Sequence, residues 1–335
     1  MGRNDIRRVK SDIARRRIAV LAYPGAQRAA IHGLIDLFET ASRLAAADAK
    51  RRAPLTAMEW QVDDCHGRRG AGLAAIIVPP SLGGTIAAAE AAPIAAWLRA
   101  RHRDGTVVCS VCAGAFVLAE SGLLDGRAAT THWALAAEFA ARFPRVRLEA
   151  ERMLIDDGDV LTAGGVMAWT DLGLRLIERW LSPAVMLETA RMFLVDPAGR
   201  EQRHYAPYSP ATAHGDAAMR AAQTWLDAHY AGAVSIAQLA AAAGVGERTL
   251  LRRFKAATGE TPTAYLQRLR VGRARELLEQ TGDAFEDVAW AVGYADAGAL
   301  RKIFQRVVGI TPGEYRRRFR PRAEADAGAT RRKPL

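Results

Sequence analysis

The sequence predicts a chain of two domains: an α/β domain on a mostly parallel sheet over residues 18–195, then an all-α domain with two helix-turn-helix units over residues 217–320. Three observations predict it. In the first half, short and continuously apolar runs alternate with helical patterns, as strands do in a sheet whose two faces are both covered. In the second half, six positions recur in one register fifty residues apart. They are Leu250, Phe254, Gly259, Thr261, Pro262 and Tyr265, then Leu300, Phe304, Gly309, Thr311, Pro312 and Tyr315. Such a repeat fixes the architecture, because each copy is one structural unit. Between the halves, residues 196–216 hold three prolines and two glycines without apolar periodicity, the composition of an interdomain linker.

The elements follow in order. Residues 1–17 carry seven basic and two acidic side chains and form a basic tail, its first fifteen residues expected to be disordered. Residues 18–23 are an apolar strand closed by a Pro24-Gly25 turn, after which Ile31, Leu34, Ile35 and Phe38 recur at helical spacing. A weaker strand lies near 56–62, and a fully apolar one at 73–78 ends in the loop 79–84. A helix over 93–101, a strand over 106–109 and a helix from Gly114 come next. The strand 160–162 leads through Gly164 and Gly165 into a helix that runs to Trp180. Sheets of this kind bind ligands beyond the carboxyl ends of their strands. The loops 79–84, 110–114 and 163–165 lie there, so Gly83, Gly84, Cys112, Ala113 and Gly164 are candidates for a ligand pocket, with His132 a further one. Cys112 stands where a strand turns abruptly into a helix, and the small residues Ala113, Gly114 and Ala115 permit a nucleophile elbow there. A helix N-terminus favours a thiolate at such a position.

In each helical repeat an apolar helix precedes a glycine turn and a second helix. The first copy has Ile236, Leu239, Ala240 and Gly244; the second has Phe285, Val288, Ala289 and Gly293. Ser235 is placed to cap the first of these helices. Leu250, Phe254 and Ala257 share an inward face, opposite Arg248, Leu251, Arg252 and Lys255. In the second copy Leu300 and Phe304 turn inward, while Ala297, Gly298, Arg301, Lys302 and Gln305 turn outward. Thr261-Pro262 and Thr311-Pro312 each start a helix, threonine capping and proline losing no hydrogen bond in the first turn. The helix from Pro262 to about Gln280 joins the two units rigidly. Residues 321–335 read as a disordered tail.

The 335-residue chain carries a net charge of +11, and residues 217–320 hold sixteen Lys/Arg against ten Asp/Glu. Residues 18–216 are slightly acidic, so the positive charge sits on the repeat and the tails. That clustering is the electrostatic footprint of a polyanion binder. No apolar run reaches the ~18 residues that span a bilayer, and the basic N-terminus lacks the apolar stretch of a secretory signal. Three cysteines, an odd number in a large chain, do not make a disulfide scaffold. Together these place the chain in a reducing cytoplasm. Cys109-x2-Cys112 alone is too little for a zinc site or a redox pair, and no metal or cofactor is expected.

The G-x-T-P-x2-Y endings, with the segment VAWAVGYADAGALRKIF at 288–304, resemble the DNA-binding domain of AraC-type transcription regulators. The segments CSVCAGAFVL at 109–118 and GLLDGRAATTHW at 122–133 resemble the PfpI/ThiJ-like, class I glutamine-amidotransferase-like domain, and most closely the sensor of GlxA-type regulators. The resemblance implies a flavodoxin-like α/β sandwich with Cys112 at the elbow, and two recognition helices entering successive major-groove segments. By position it carries base reading to Arg248, Leu251 and Arg252, with Lys255 on the same face, and to Ala297, Gly298, Arg301 and Lys302. The small Ala297 and Gly298 make the second helix the poorer reader. Catalytically active relatives have a histidine after the cysteine, where this chain has Ala113. Redox-type relatives have a glutamate after the first strand, where it has Ala30 between Ala29 and Ile31. With no base and no orienting carboxylate for His132, no catalytic residue is expected. The resemblance thus implies a dimeric regulator of a double-stranded DNA operator, governed by a small nitrogenous effector, with RNA polymerase as a partner. The competing reading is a thiol hydrolase or deglycase tethered to DNA.

Overall fold

The computed structural model describes residues 16–46, 54–67, 69–197, 200–208, 210, 212 and 214–321. The two tails expected to be disordered lie outside the described residues, save Pro321. The chain forms two compact units, Met1–Gln202 and Arg203–Leu335.

In the first unit the order is β1 (Arg17–Ala22), α1 (Arg28–Ala46), β2 (Thr56–Gln61), β3 (Ala75–Val78), α2 (Ala88–Arg103), β4 (Val107–Val111) and α3 (Gly114–Glu120). There follow β5 (Ala128–Ala129), α4 (Ala136–Arg142), β6 (Arg147–Leu148), β7 (Leu154–Asp156), β8 (Val160–Ala163), α5 (Trp169–Trp180) and α6 (Pro183–Phe193). Six strands make one sheet in the order β2-β1-β3-β4-β8-β7. Every pairing is parallel except β7 with β8. Side chains alternate across it. Ile18, Val20, Ile77, Cys109, Val111 and Leu161 pack under α1, α5 and α6. Ala19, Leu21, Ile76, Val78 and Val108 pack under α2, α3 and α4. That is why these strands read as unbroken apolar runs: both faces are buried.

Three features differ from the sequence expectation. Helix α2 begins at Ala88, five residues before Pro93: the preceding alanines extend it, and it tolerates the hydrogen bond lost and the carbonyl crowded at Pro93. The antiparallel edge β7 and the pair β5–β6 have three and two residues each, too short to show a period. The stretch 196–216, read as a linker, contains the division between the units, and both sides of it are tied down. Gln202 is buried in the first unit and His204 in the second. Long-range hydrogen bonds hold both, and these leave no periodic signal.

The second unit consists of α7 (Ala217–His229), α8 (Ile236–Ala242), α9 (Glu247–Thr258), α10 (Pro262–Gln280), α11 (Phe285–Ala291), α12 (Ala297–Val308) and α13 (Pro312–Phe319). Ser235 and Gln238 form a capping box at α8, and Thr311 and Glu314 form another at α13. Gly293 holds a positive φ of 86° in the second turn, and a Cβ there would fall 2.6 Å from the Ala231 carbonyl oxygen. The unit has two cores. Met219, Leu226, Leu239, Leu250 and Phe254 close one around Tyr265 and Leu269 of α10. Val288, Leu300, Phe304 and Tyr315 close the other around Val271, Ala274 and Leu278 of the same helix.

At the β4–α3 junction a Cβ on Gly114 would fall 2.5 Å from the Val78 carbonyl oxygen and 2.7 Å from that of Pro79, both main chain. We expect Gly114→Val to destabilise the first unit by about 1–3 kcal/mol through overpacking. Thermal unfolding of the full chain checks it: the melting temperature should fall by several degrees, and an unchanged value would mean that helix and strand do not pack this tightly.

Candidate functional site

The outward face of α9 is built by what its inward face must bury. Leu250 and Phe254 have no exposure, and Phe254 meets the Tyr265 ring edge-on at 5.3 Å. At helical spacing this turns Arg248, Leu251, Arg252 and Lys255 to solvent, all four exposed and Leu251 at 45%. No carboxylate pairs with these three cations among the described residues. Arg253 is different. Its guanidinium grips both oxygens of Asp216, at 3.0 and 2.7 Å, and Asp216 in turn caps α7. Of the two adjacent arginines, one is structural and the other is left unpaired.

The corresponding face of α12 is more encumbered. Arg301 lies over the Phe285 ring at 5.2 Å and 3.9 Å from Glu286. Asp296 accepts from the backbone N–H groups of Gly298 and Ala299 at 2.8 and 3.1 Å. A carboxylate therefore already occupies the N-terminus of this helix, where a phosphate would otherwise sit. Ala297 and Gly298 are half-buried, and Lys302 is exposed.

In the first unit Cys112 has a φ of +53°, one of two such non-glycine residues among the described ones. Such a conformation costs about 1–3 kcal/mol and persists only where its surroundings enforce it. Here the Cys112 N–H donates to the Ala163 carbonyl at 2.7 Å, and the Thr131 hydroxyl donates to the Cys112 carbonyl at 2.8 Å. The elbow is therefore real, and its thiol is buried. Cys112 is 3% exposed, and burial pushes its thiol up to about 11, partly offset by the Ala113 backbone N–H. The nearby phenol of Tyr23 donates to the Pro79 carbonyl at 2.6 Å and is itself raised by burial. Burial also raises the Cys109 thiol. His132 accepts the Ala134 N–H on Nδ1 at 3.1 Å, and burial lowers its pKa.

The structure gathers some of the expected pocket residues and separates others. Ala113 is buried with Cys112, and Gly164 follows the strand that Cys112 leans on. Gly83 and Gly84 lie on an exposed rim, in a loop tied to the Gly25 carbonyl through the Leu82 N–H at 3.0 Å. None of the six expected residues lines the cavity of about 300 Å³ bounded by Arg152, Met153, Leu174, Arg175, Arg200 and Glu201. The space above Gly164 is occupied by Gln202, a residue that sequence reasoning missed because it lies in the aperiodic stretch.

Comparison with known proteins agrees with both halves. Residues 68–179 match the DJ-1/PfpI family and residues 239–318 match a helix-turn-helix domain. The chain is 30% identical over 225 residues to the HTH-type transcriptional regulator GlxA of Rhizobium meliloti, covering 66% of this chain and 68% of that one. It is 29% identical over 221 residues to the HTH-type transcriptional regulator GbdR of Pseudomonas aeruginosa, covering 66% of this chain and 60% of that one. The match to the regulator CdhR of the same species is 29% over 222 residues, covering 66% of each. Against GbdR the chain thus spans three fifths of the relative's length.

Three outcomes are expected. Arg252→Ala should weaken binding to a selected DNA sequence by about 1–3 kcal/mol, the value of a lost bidentate base contact. Arg301→Ala should cost less, because Phe285 and Glu286 already hold that side chain. Titration against the selected and a scrambled duplex checks both, and an equal loss on the two duplexes would make Arg252 a phosphate contact only. Iodoacetamide at pH 7 should alkylate Cys112 at least about 100-fold more slowly in the folded chain than in urea, since only about one thiol in 10⁴ is ionised when the pKa lies four units above the pH. Fast labelling would reveal an activating base.

Proposed function

The chain belongs to the AraC-type transcription regulators that carry a DJ-1/PfpI-type domain ahead of their helix-turn-helix repeat, and from that membership we propose that it is a one-component regulator: its second unit binds a specific double-stranded DNA sequence, and its first unit answers a small nitrogenous metabolite. One observation carries the reading. Two helix-turn-helix cores share a single uninterrupted helix, α10, with α9 and α12 each turning a cationic face outward. A helix of nineteen residues is about 28 Å long. That length is close to the ~34 Å between successive major-groove segments on one face of a duplex. Within this reading α9 reads bases through Arg248, Leu251 and Arg252, with Lys255 on the backbone. Helix α12 docks mainly on the backbone through Lys302, and Arg301 reads a base only by leaving Phe285.

The first unit supports a sensing role over a catalytic one. Cys112 keeps the strained elbow of a thiol enzyme, which is what favours the alternative reading of a hydrolase or deglycase. Burial raises the pKa of its thiol, and His132 has no orienting carboxylate among the described residues. We read the elbow as a retained scaffold. We propose further that the protein acts in the cytoplasm as a homodimer and recruits or hinders RNA polymerase. Two copies double the recognition helices, and linkage of this kind adds roughly 10²–10⁴-fold in avidity.

Selection of duplexes from a random pool by the full chain, followed by footprinting, tests the function. The expected footprint covers major-groove segments spaced by whole turns of about 10.5 base pairs. A fragment beginning at Arg203 should protect the same sequence more weakly. A fragment beginning at Gly215 should be less stable than that one, because it lacks the Tyr208 ring packed edge-on against Tyr265 at 5.7 Å and the carbonyls that Arg275 holds. Enrichment of no sequence, together with turnover of a glyoxal or amide substrate that Cys112→Ser abolishes, would replace the regulator by the hydrolase.

A further inference from the structure

Gln202 is 1% exposed, although it is the last residue of the first unit and lies in a stretch with the composition of a linker. Its side chain is held as a ligand would be. The carboxamide oxygen accepts the Trp133 backbone N–H at 3.0 Å. The carboxamide nitrogen lies 2.8 Å from the Thr131 carbonyl oxygen, 3.0 Å from that of Arg152 and 3.1 Å from the Thr130 hydroxyl. A main-chain donor on one side and main-chain acceptors on the other fix which end of the amide is which. They also select an amide over an acid: a carboxylate would set an oxygen against two carbonyl oxygens with no proton between them. The chamber is open only because residue 164 is glycine, since a Cβ there would fall 1.9 Å from the Gln202 nitrogen. It adjoins the elbow, for Thr131 bonds through its hydroxyl to the Cys112 carbonyl. It also adjoins the 300 Å³ cavity, whose lining includes Arg152 and Glu201.

The next residue already belongs to the second unit. There Arg203 and His204 pack against Gly309, which caps the C-terminus of α12: a Cβ on that glycine would meet their side-chain nitrogens at 2.5 and 2.8 Å. Arg275 holds the His204 carbonyl at 3.1 Å and also the Ala206 carbonyl, while its Nε donates to the Tyr315 hydroxyl at 2.8 Å. No slack residue separates the seat of Gln202 from these anchors.

We propose that the chamber formed by Thr130, Thr131, Trp133, Arg152 and Gly164 is a carboxamide-binding site, that Gln202 is its tethered occupant, and that the effector is a small molecule with a primary amide that replaces it. Replacement frees Gln202, and with it the hold of Arg203 and His204 on the end of α12. This inference rests on the regulator reading for its consequence at DNA, but not for the site itself.

Calorimetric titration of the full chain with propionamide, and with propionate as the acid of the same shape, tests the site. Gln202→Ala should bind propionamide and not propionate, about 10- to 100-fold more tightly than the parent chain. The parent opens the chamber only in the fraction of molecules that Gln202 has left. Gly164→Ala, whose methyl group takes the amide's place, should bind neither. On the parent chain, saturating propionamide should speed hydrogen exchange at the backbone amides of residues 202–204 at least about tenfold, a readout that needs no variant to fold. Equal affinity in parent and Gln202→Ala, binding of propionate, or unchanged exchange would overturn the site. Affinity for the selected duplex, measured with and without propionamide, separates the two readings. A parent chain that selects no DNA sequence removes the regulator reading and leaves the titration as it stands. One that selects DNA but ignores bound propionamide overturns the coupling.

Discussion

One helix has to be in two cores at once. Tyr265 and Leu269 of α10 are buried in the first helix-turn-helix unit, and Val271, Ala274 and Leu278 in the second. Each cluster closes on its own half of that shared helix. The helix starts at the Thr261 cap with Pro262 in its first turn and runs without a break to Gln280. The orientation of α9 and α12 to each other therefore follows from the register of residues along α10. Arg270 reinforces it from the side, donating to the carbonyls of Tyr230 at 2.7 Å and Gly232 at 2.8 Å while lying over the Tyr294 ring at 5.2 Å.

The first unit is governed by a different constraint, a strained backbone at Cys112. Cys112 holds a left-handed conformation, and Gly114 beside it cannot be larger because Val78 and Pro79 press on it. In a working thiol enzyme the strain aims a nucleophile. Here the same geometry ties Cys112 to Ala163 at the end of β8 and to Thr131, and burial raises the thiol's pKa.

The division of the chain between Gln202 and Arg203 is abrupt. A flexible tether lets domains move independently and couples them only through effective concentration. Here nearby residues are buried in different units, Gln202 in the first and His204 in the second.

The sequence by itself determined most of the second unit and the frame of the first. The repeat placed Leu250 with Leu300 and Phe254 with Phe304, and these are the fully buried anchors of α9 and α12. Capping residues set helix starts, Ser235, Thr261 and Thr311 among them, and the apolar runs found the parallel strands. These features are local: they are written in spacing and in residue type, and the helical or strand period repeats them. Tertiary structure alone decided that Arg253 is structural while Arg252 is unpaired, since Asp216 lies 37 residues away in sequence. It alone decided that Arg301 lies over Phe285, and that the short antiparallel β7 closes the sheet edge. Above all it decided the place of Gln202. That amide bonds to groups 50 to 72 positions away, three of them main-chain atoms that every residue possesses. Hydrogen bonds to the main chain leave no mark on the identity of the partner residue. No pattern in the sequence could have shown them, and only the folded chain brings the donor and its acceptors together.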